Sequence, residues 1–482
     1  MTDSARTPVS RPWRKADVPA VNATGKPYRS WRDRPSIFDD PERLVRVFQW
    51  LFYVFLMFVM IRISSGEADS EAAREIRKAG VASGDATKQI VYVITTFIFT
   101  SIWVRLRGWS LPKCLSIYQL IFFAWVLVSV SWAIDPAVSL RRTILLLTVV
   151  TSLGMAVDIL GPDRSMRVLY YVLASCTIVS LVSVPLFPFA VHPMTEMDQS
   201  IAGGWRGIFV HKNTAGAVTA ASLILYIYTA LEKGKWYRWL LVLLGLAFLA
   251  GTKSKTPALV LIPTLAMGWL YYRTHTRDFG RNLFSFSVIA GFSMVTFLVF
   301  AKAAAVERVF ANPESFTGRA GLWQAVIGFI KDHPWLGAGY SSLWGINVDP
   351  APIAPYINEA SQEFMVHSHS GYLELLATTG IPGLLLALAA AIIFPLYQLM
   401  TERNREKLFN CALIFTLFVF AVCENFLETQ LYSRDREVWV IYLIGILGLH
   451  LRYRARTDSA IAQDVERAVP IGTTVLERRR SA

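Results

Sequence analysis

The chain has 482 residues, of which 54% are hydrophobic and only 17% charged, and its mean hydropathy is +0.41. This balance excludes an ordinary soluble enzyme, because apolar runs of about 17–25 residues, long enough to cross a bilayer, recur along nearly the whole chain. The formal net charge of +13 is typical of a membrane protein with basic cytoplasmic loops, so no nucleic acid partner is expected.

The N-terminal segment is polar and rich in Pro and Arg. Residues 1–43 are therefore predicted to form a disordered basic cytoplasmic tail. The first apolar run begins near Leu44, too far from the start for the short apolar core of a cleaved signal peptide. We expect this run to remain in the protein as a membrane anchor.

The rest of the chain predicts an all-α, polytopic bundle of about twelve transmembrane helices. The predicted spans are 44–63, 88–104, 115–134, 143–160, 168–190, 214–231, 239–252, 257–272, 283–304, 381–400, 408–424 and 437–451. Residues 44–304 hold spans one to nine, and 381–451 hold the last three. Residues 305–380 form a large extracytoplasmic loop with short helices, and 452–482 form a basic cytoplasmic tail.

The distribution of Lys and Arg predicts the orientation. With the N-terminus inside, the five short inner loops hold 14 basic residues in 39 positions, whereas the shorter outer loops hold 12 in 73. Both tails are basic as well. Because basic residues favour the cytoplasmic side, and an even number of spans returns the chain to its starting side, both termini are predicted to be cytoplasmic.

Several basic residues nevertheless fall in outer loops. They are Arg141, Arg142, Arg206, Lys212, Lys253, Lys255, Arg319, Arg434 and Arg436. Two interpretations are open. Each residue can snorkel to the lipid headgroups by itself, or together they can form a basic basin for a phosphorylated lipid, since the planar Arg fork matches phosphate oxygens.

The large loop contains an amphipathic helix, because Leu322, Trp323, Val326, Ile327 and Ile330 share one helical face. Ser315 or Thr317 is expected to cap it, and Trp335 and Trp344 suit the headgroup zone.

The predicted cap places Arg319 in the first turn of this helix. A cation there opposes the helix dipole unless an anion lies between it and the free N–H groups. Either an anion site or a plain interfacial helix accounts for the pattern.

A second polar segment precedes the span at 214. The sequence GGWRGIFVHKN (203–213) places Arg206, His211 and Lys212 at the helix entrance, and its glycines permit a close backbone approach. His211 is either part of a site or a histidine of the membrane interface.

Two histidines lie two residues apart at the end of the large loop. His367 and His369 can act as a metal site, as a general acid or base, or as a polar rim. Metal ligation needs a third ligand at a recognised spacing, which the sequence does not show. General base chemistry is favoured, since neutral imidazole accepts a proton near neutral pH.

The residues that follow the pair predict its local geometry. Ser370 is expected to cap the next helix, Gly380 to end it in a left-handed conformation, and Pro382 to start another. His369 is therefore expected at the mouth of a helix beside the membrane surface.

Four segments resemble a known family: SWAIDPAVSLRRT (131–143), WRGIFVHKNTAG (205–216), GRAGLWQAVIGFIKDHPWLGAGYSSLW (318–344) and HSHSGYLELLATTGIPG (367–383). Together they resemble the O-antigen ligase and Wzy-type polymerase superfamily, and within it the ExoQ-type exopolysaccharide polymerases. Leu384 and Leu385 stand where ligases often have Thr-Gly.

The resemblance implies glycosyl transfer on the outer face of a bacterial inner membrane without a metal or another cofactor. It implies that His369 is the base and that Arg319 and Arg206 contact a pyrophosphate, with Lys212, Arg141 and Arg142 matched less closely. His211 and His367 are then supporting residues.

The partners that the resemblance implies are an undecaprenyl-pyrophosphate-linked oligosaccharide, inner membrane lipids, a chain-length regulator and export proteins.

Three functions follow as hypotheses. The first is a polymerase that joins lipid-linked repeats into an exopolysaccharide. The second is an O-antigen ligase that transfers a finished glycan to a separate acceptor. The third, from another class, is a polysaccharide transporter or flippase. Transporters place ionisable residues near the membrane midplane, whereas these spans are nearly free of charge.

Overall fold

The structure is a computed structural model that describes residues 40–61, 86–195, 201–301, 319–346, 348, 350–357, 367–434 and 436–468. Within these residues the protein is all-helical, and the only β-type pairing is an isolated bridge between Val191 and Trp205. The predicted all-α class is confirmed.

Fourteen α-helices occur in the described part of the chain. They are α1 (Pro41–Met60), α2 (Ala86–Arg107), α3 (Ile117–Val128), α4 (Pro136–Leu160), α5 (Pro162–Leu186), α6 (Lys212–Lys233), α7 (Arg238–Thr252), α8 (Lys255–Thr274), α9 (Asp278–Ala301), α10 (Arg319–Asp332), α11 (Gly371–Leu388), α12 (Phe394–Met400), α13 (Leu408–Glu424) and α14 (Glu437–Ala468).

The chain divides into two compact units, residues 1–47 and 48–482. In the first, Asp40 caps α1 by accepting hydrogen bonds from the backbone N–H groups of Glu42 and Arg43 at 3.0 and 3.2 Å. The remainder of the predicted N-terminal tail lies outside the described residues. The second unit contains the other helices and the candidate site.

Each of the twelve predicted spans overlaps a helix, but the count of twelve is not confirmed. Eight helical segments of the described chain are long and apolar enough to cross a membrane: Pro41–Met60, Thr87–Arg107, Pro136–Leu160, Pro162–Leu186, Lys212–Lys233, Gly371–Met400, Arg405–Glu424 and Glu437–Ser459. Ile117–Trp132 and Arg238–Thr252 are apolar but shorter, and α8 and α9 fall outside both groups.

The centre of the second unit consists of α4, α6 and α14. More than seven-tenths of the most apolar stretch of each is buried, against about a fifth in α2. Small residues at the start of α6 allow neighbouring helices to approach closely, and a Cβ atom at Gly216 would lie 2.6 Å from Ser254 Cβ. The candidate site lies at one common end of these helices.

At the opposite end, α14 continues past the predicted membrane boundary at residue 451 and ends at Ala468. The predicted tail therefore begins as helix, because residues 452–468 contain good helix formers and no Gly or Pro. Residues 469–482 of that tail lie outside the described part.

The loop helix α10 begins at Arg319, which confirms the predicted position of this arginine in its first turn. Its apolar face is buried in a cluster with Leu343, Trp344 and Ile353. Of the two tryptophans expected in the headgroup zone, Trp344 is buried in this cluster and Trp335 is exposed. Their position in a headgroup zone stays a prediction. The predicted caps of α10 lie outside the described residues.

The segment after α10 is tied to a break in α11. Gly380 has φ +69° and ψ −176°, which confirms the predicted positive φ and interrupts the helix. Ala338 N–H donates to Ala377 O, and Ile381 N–H donates to Pro334 O, both at 2.9 Å. A side chain at Gly380 would collide with the Trp335 carbonyl, so a glycine is required at this contact.

Candidate active site

The histidine pair lies in a tight turn before α11. His369 has φ +50°, a left-handed conformation that non-glycine residues seldom adopt. Its backbone N–H donates to His367 Nδ1 at 3.2 Å, and the two imidazole centroids are 4.1 Å apart. Between them, the buried Ser368 hydroxyl donates to Ser370 O at 2.7 Å. The turn therefore holds both imidazoles in one place.

Buried contacts from the large loop hold this turn. Trp323 Nε1 donates to Ser368 O at 2.9 Å, which links the turn to α10. Ser368 N–H donates to Glu374 Oε2 at 3.1 Å, and Trp344 Nε1 donates to the same oxygen at 2.9 Å. Because these donors and acceptors are satisfied by one another, the turn is rigidly supported.

Helix α11 starts after Ser370, but the prediction that the Ser370 side chain caps it is wrong, since that side chain makes no capping bond. The entry is held instead by Asn425: its carbonyl accepts from Gly371 N–H at 2.8 Å, and its Oδ1 accepts from the N–H groups of Gln430 and Leu431 at 3.1 and 2.9 Å. The loop after α13 is thereby brought against the histidine turn.

That loop supplies Glu428, on which three other segments converge. Arg319 Nη2 donates to Glu428 Oε1 at 2.8 Å, and Asn213 Nδ2 donates to the same oxygen at 3.3 Å. His369 Nδ1 lies 3.5 Å from Glu428 Oε2. Arg319 Nη1 also donates to Leu427 O. One carboxylate thus joins the arginine of α10, the entrance of α6 and the histidine turn.

The surroundings of Glu428 determine its charge. Its burial by itself would raise the pKa, but the contact with His369 and the positive charge of Arg319 outweigh burial and lower the pKa to about 2. Glu428 is therefore a carboxylate at neutral pH, next to a guanidinium and an imidazole.

Two imidazoles of this region are held neutral. Burial, together with the neighbouring His192, lowers the pKa of His211 to about 4. Burial and the charge of Arg436 place the pKa of His367 well below its ordinary value. A neutral imidazole can accept a hydrogen bond or a proton. These two imidazoles therefore add polar groups to the site without adding positive charge.

The entrance of α6 is built as predicted around a polar cluster. His211 is its N-cap, and Nδ1 accepts from Asn213 N–H at 3.1 Å. The Lys212 backbone N–H donates to His192 Nε2 at 3.3 Å, and the rings of His192 and His211 are 5.1 Å apart. Because Asn213 reaches Glu428, this entrance is part of the site.

Arg206 is buried in the loop before α6. Its Nε donates to Phe189 O at 2.5 Å and its Nη1 to Val210 O at 3.4 Å. These two bonds hold the loop in place ahead of His211.

Arg142 is also buried, and its contacts are with backbone. Its two terminal nitrogens donate to the carbonyls of Ser341, Trp344 and Gly345 at 2.6, 2.8 and 2.9 Å. Arg142 therefore ties α4 to the loop that follows α10, while its neighbour Arg141 is half-buried.

His367, His369 and Glu428 also form the one cluster in the described chain with the spacing of a metal site, since a ligand atom from each lies within 4.8 Å of the others. Imidazole and carboxylate are common zinc ligands. Arg319 Nη2, only 2.8 Å from the Glu428 carboxylate, opposes a divalent cation by charge and occupies one of its oxygens.

Arg319 and His369 were predicted as site residues from the sequence, but Glu428 was not. In the segment ENFLETQLYSRDR (424–436), only the two arginines were predicted to contribute to a basic outer surface. An acidic residue between two spans, in a loop otherwise expected to attract an anion, was the available signal. The contacts of Glu428 with residues far away in the chain leave no local pattern in the sequence.

Comparison with known proteins matches part of this sequence to a family model. Residues 240–388, which include Arg319 and His369, match the family model Wzy_C, described as O-Antigen ligase. The predicted resemblance is confirmed. The chain is also 26% identical over 362 residues to the Exopolysaccharide production protein ExoQ of Rhizobium meliloti (strain 1021), covering 70% of this chain and 78% of that relative.

The eight long apolar helices of the described chain, together with these two similarities, indicate a multi-pass membrane protein that resembles the O-antigen ligase family and ExoQ. The O-antigen ligase match ends before Glu428, so the family segment contains the histidine and the arginine but not the carboxylate that joins them.

Proposed function

We propose that the protein is an exopolysaccharide polymerase. It joins undecaprenyl-pyrophosphate-linked oligosaccharide repeats at the periplasmic face of the inner membrane, by glycosyl transfer that needs no metal. The observation that carries this proposal is the Arg319–Glu428–His369 cluster at the mouth of the membrane helices, where an anion-binding group and a proton acceptor share one carboxylate.

In the proposed reaction, a hydroxyl of the acceptor glycan attacks the anomeric carbon of the donor sugar. His369 takes the hydroxyl proton as the new C–O bond forms, and the bond from the anomeric carbon to the pyrophosphate oxygen breaks. Undecaprenyl pyrophosphate leaves with the bonding electron pair. A single displacement of this kind inverts the configuration of the sugar.

Glu428 is proposed to position His369 for this step. A carboxylate 3.5 Å from Nδ1 favours the tautomer whose Nε2 is free to accept the proton, and it stabilises the imidazolium that forms. The left-handed backbone at His369 supports a functional interpretation, because strain of this type persists where a side chain must be held in one orientation.

Arg319 is proposed to stabilise the leaving pyrophosphate. Only part of its planar fork is used by Glu428 and Leu427, so further N–H donors are left for phosphate oxygens. Positive charge fixed in advance at the leaving group is an effective form of catalysis where water is excluded.

The other basic residues have graded roles in this proposal. Arg206, Lys212 and Arg141 are candidate pyrophosphate contacts, and Arg142 is as well, although its three carbonyl acceptors support a role in holding the loop. His211 and His367 are supporting residues.

A chain-length regulator and export proteins are the expected partners of the protein. Both termini are expected in the cytoplasm.

An O-antigen ligase is the second candidate, because the family model that matches residues 240–388 is described by that activity. The deciding experiment incubates the purified protein in nanodiscs with lipid-linked repeats alone. A ladder of products supports the polymerase. No reaction until a separate acceptor is added would replace it by the ligase. In closed proteoliposomes, transfer of intact lipid-linked repeats across the bilayer without a new bond would favour a transporter.

A further inference from the structure

A second polar feature lies at the opposite end of the bundle from His369. It is a cleft of about 600 Å³ between the ends of α2, α4 and α5 and the middle of α14. On α4, Asp158 at the cleft and Arg142 near the site are sixteen residues apart, which is roughly 24 Å along a helix. The cleft therefore belongs to the other membrane face and takes no part in the proposed transfer.

The cleft is lined by four basic and two acidic residues. They are Arg107, Lys113, Arg164, Arg454, Asp158 and Asp458. Its net charge is therefore +2, and it concentrates positive charge where the helices leave the membrane.

One of these acids is already satisfied. Asp158 is buried, and its Oδ2 accepts from the backbone N–H of Lys113 at 2.8 Å. Arg107 Nη2 donates to Asp158 O at 3.0 Å and lies 3.9 Å from Oδ1. This pair holds α2 and the following loop against α4, and it neutralises one basic and one acidic member of the cleft.

The other three cations are available. In the described part of the chain, the side chains of Lys113, Arg164 and Arg454 form neither a hydrogen bond nor an ion pair, and all three are exposed. Asp163 lies next to Arg164 in the sequence but does not neutralise its charge, because Asp163 is paired with Arg452. Apart from Asp158, the only acidic residue in the lining of the cleft is Asp458.

The same cleft is also lined by the apolar residues Ile159, Leu160, Leu451 and Ala455. Basic and apolar groups in one cleft, at the ends of membrane helices, suit a molecule with a phosphate at one end and a hydrocarbon at the other. A freely soluble phosphate would gain nothing from the apolar part.

We propose that this cleft binds the phosphodiester headgroup of an anionic membrane phospholipid, with Lys113, Arg164 and Arg454 around the phosphate. The bound lipid would hold α2, α5 and α14 together at the face remote from the histidine turn. This proposal is independent of the proposed transfer, and its test reads lipid binding and not polymer formation.

The test uses the full-length protein, delipidated in detergent and mixed with vesicles of phosphatidylcholine, with or without phosphatidylglycerol or cardiolipin. Retained lipid is then measured by native mass spectrometry. The double variant Arg164→Gln/Arg454→Gln is expected to lose about ten-fold or more in affinity for the anionic lipids. The matched control is Lys233→Gln/Lys235→Gln, which removes two exposed charges at the end of α6 and in the loop after it, outside the cleft.

Equal loss in both double variants, or none in the first, would overturn the proposal. Competition by glycerol 1-phosphate as strong as by vesicles would assign the cleft to a free phosphate and also overturn it. If Arg164→Gln/Arg454→Gln does not fold, Arg164→Lys/Arg454→Lys is used with a photoactivatable phosphatidylglycerol. Cross-links on the peptides around residues 113, 164 and 454 support the site, and cross-links elsewhere exclude it.

Discussion

His369 Nδ1 lies 3.5 Å from Oε2 of Glu428, and the other oxygen of that carboxylate accepts from Arg319 at 2.8 Å. The residue proposed to accept the proton and the residue proposed to stabilise the leaving group therefore contact the same carboxylate. A change to any of the three residues is expected to disturb the other two.

His369→Ala is expected to abolish polymer formation, because a positioned base typically contributes about 10²–10⁴-fold to the rate. The variant should insert and fold, and lipid-linked repeats should accumulate in cells that carry it. Polymer is measured by gel electrophoresis. His333→Ala, in the same loop but stacked on Phe329, is the matched control and should retain activity. Normal polymer from the His369 variant would remove this residue from the mechanism.

Glu428→Gln is expected to lower kcat by about 10–10³-fold with a smaller change in KM, since the imidazole loses the carboxylate that orients it. The loss also leaves the Arg319 charge uncompensated, so the thermal midpoint is measured in parallel.

The matched control for this change is Glu424→Gln in the same segment, because the Glu424 carboxylate has no hydrogen-bond partner among the described residues. Equal effects on kcat from the two variants would argue against a specific role of Glu428.

Arg319→Lys keeps the positive charge but loses the planar fork that contacts Glu428 and Leu427 together. The apparent KM for the lipid-linked donor is expected to rise by about ten-fold, and kcat to fall. Steady-state kinetics in nanodiscs check this expectation. Donor binding and turnover equal to those of the unaltered protein would refute the pyrophosphate role of Arg319.

Acidification is expected to destabilise the fold in two stages. The pKa of folded His211 is about 4, below its ordinary value of 6.5, so the unfolded chain binds more protons between these values and stability falls as the pH drops from 6.5 to 4. The pKa of Glu428 is about 2 against an ordinary 4.5, which adds a loss of the same sign from pH 4.5 downwards. Each group contributes at most about 1.4 kcal/mol per pH unit.

The thermal midpoint in detergent between pH 4 and pH 8 measures the first of these stages, which belongs to His211. His211→Asn preserves a capping side chain and removes the titrating group, so its midpoint should vary less between pH 6.5 and pH 4. A steeper dependence in the variant would contradict the assignment.

Exhaustive chelation is expected to leave the proposed polymerase activity unchanged, because the Arg319 guanidinium, 2.8 Å from the Glu428 carboxylate, opposes the binding of a divalent cation by its positive charge. Activity is compared before and after dialysis against a chelator. Its loss, followed by rescue with a divalent ion, would instead assign His367, His369 and Glu428 as metal ligands.

The membrane helices were predictable because apolar runs of sufficient length are a local property of the sequence. The positive φ at Gly380 and the position of Arg319 in the first turn of α10 were also predictable, because each depends on the local sequence. The number of spans was not predictable. Helices α3 and α7 are shorter than a full membrane span, and α8 and α9 do not belong to either group of apolar helices.

The candidate site was only half predictable. Arg319 and His369 lie in quoted motifs, whereas Glu428 gains its meaning from a tertiary contact that leaves no local pattern. His367, expected from the sequence to be a supporting residue, accepts a hydrogen bond from the backbone of His369. The burial of Trp344 was not predictable, because a tryptophan suits both a headgroup zone and a buried cluster, and only packing decides between them.

The convergence on Glu428 also has a consequence for biogenesis. Asn213, Arg319 and His369 all precede Glu428 in the chain, so during insertion they leave the ribosome before the carboxylate that joins them. Until α13 and the loop after it are in place, the cluster is incomplete. A partly inserted chain therefore lacks the arrangement proposed to handle the lipid-linked substrate, and the proposed chemistry begins only once the loop after α13 has folded.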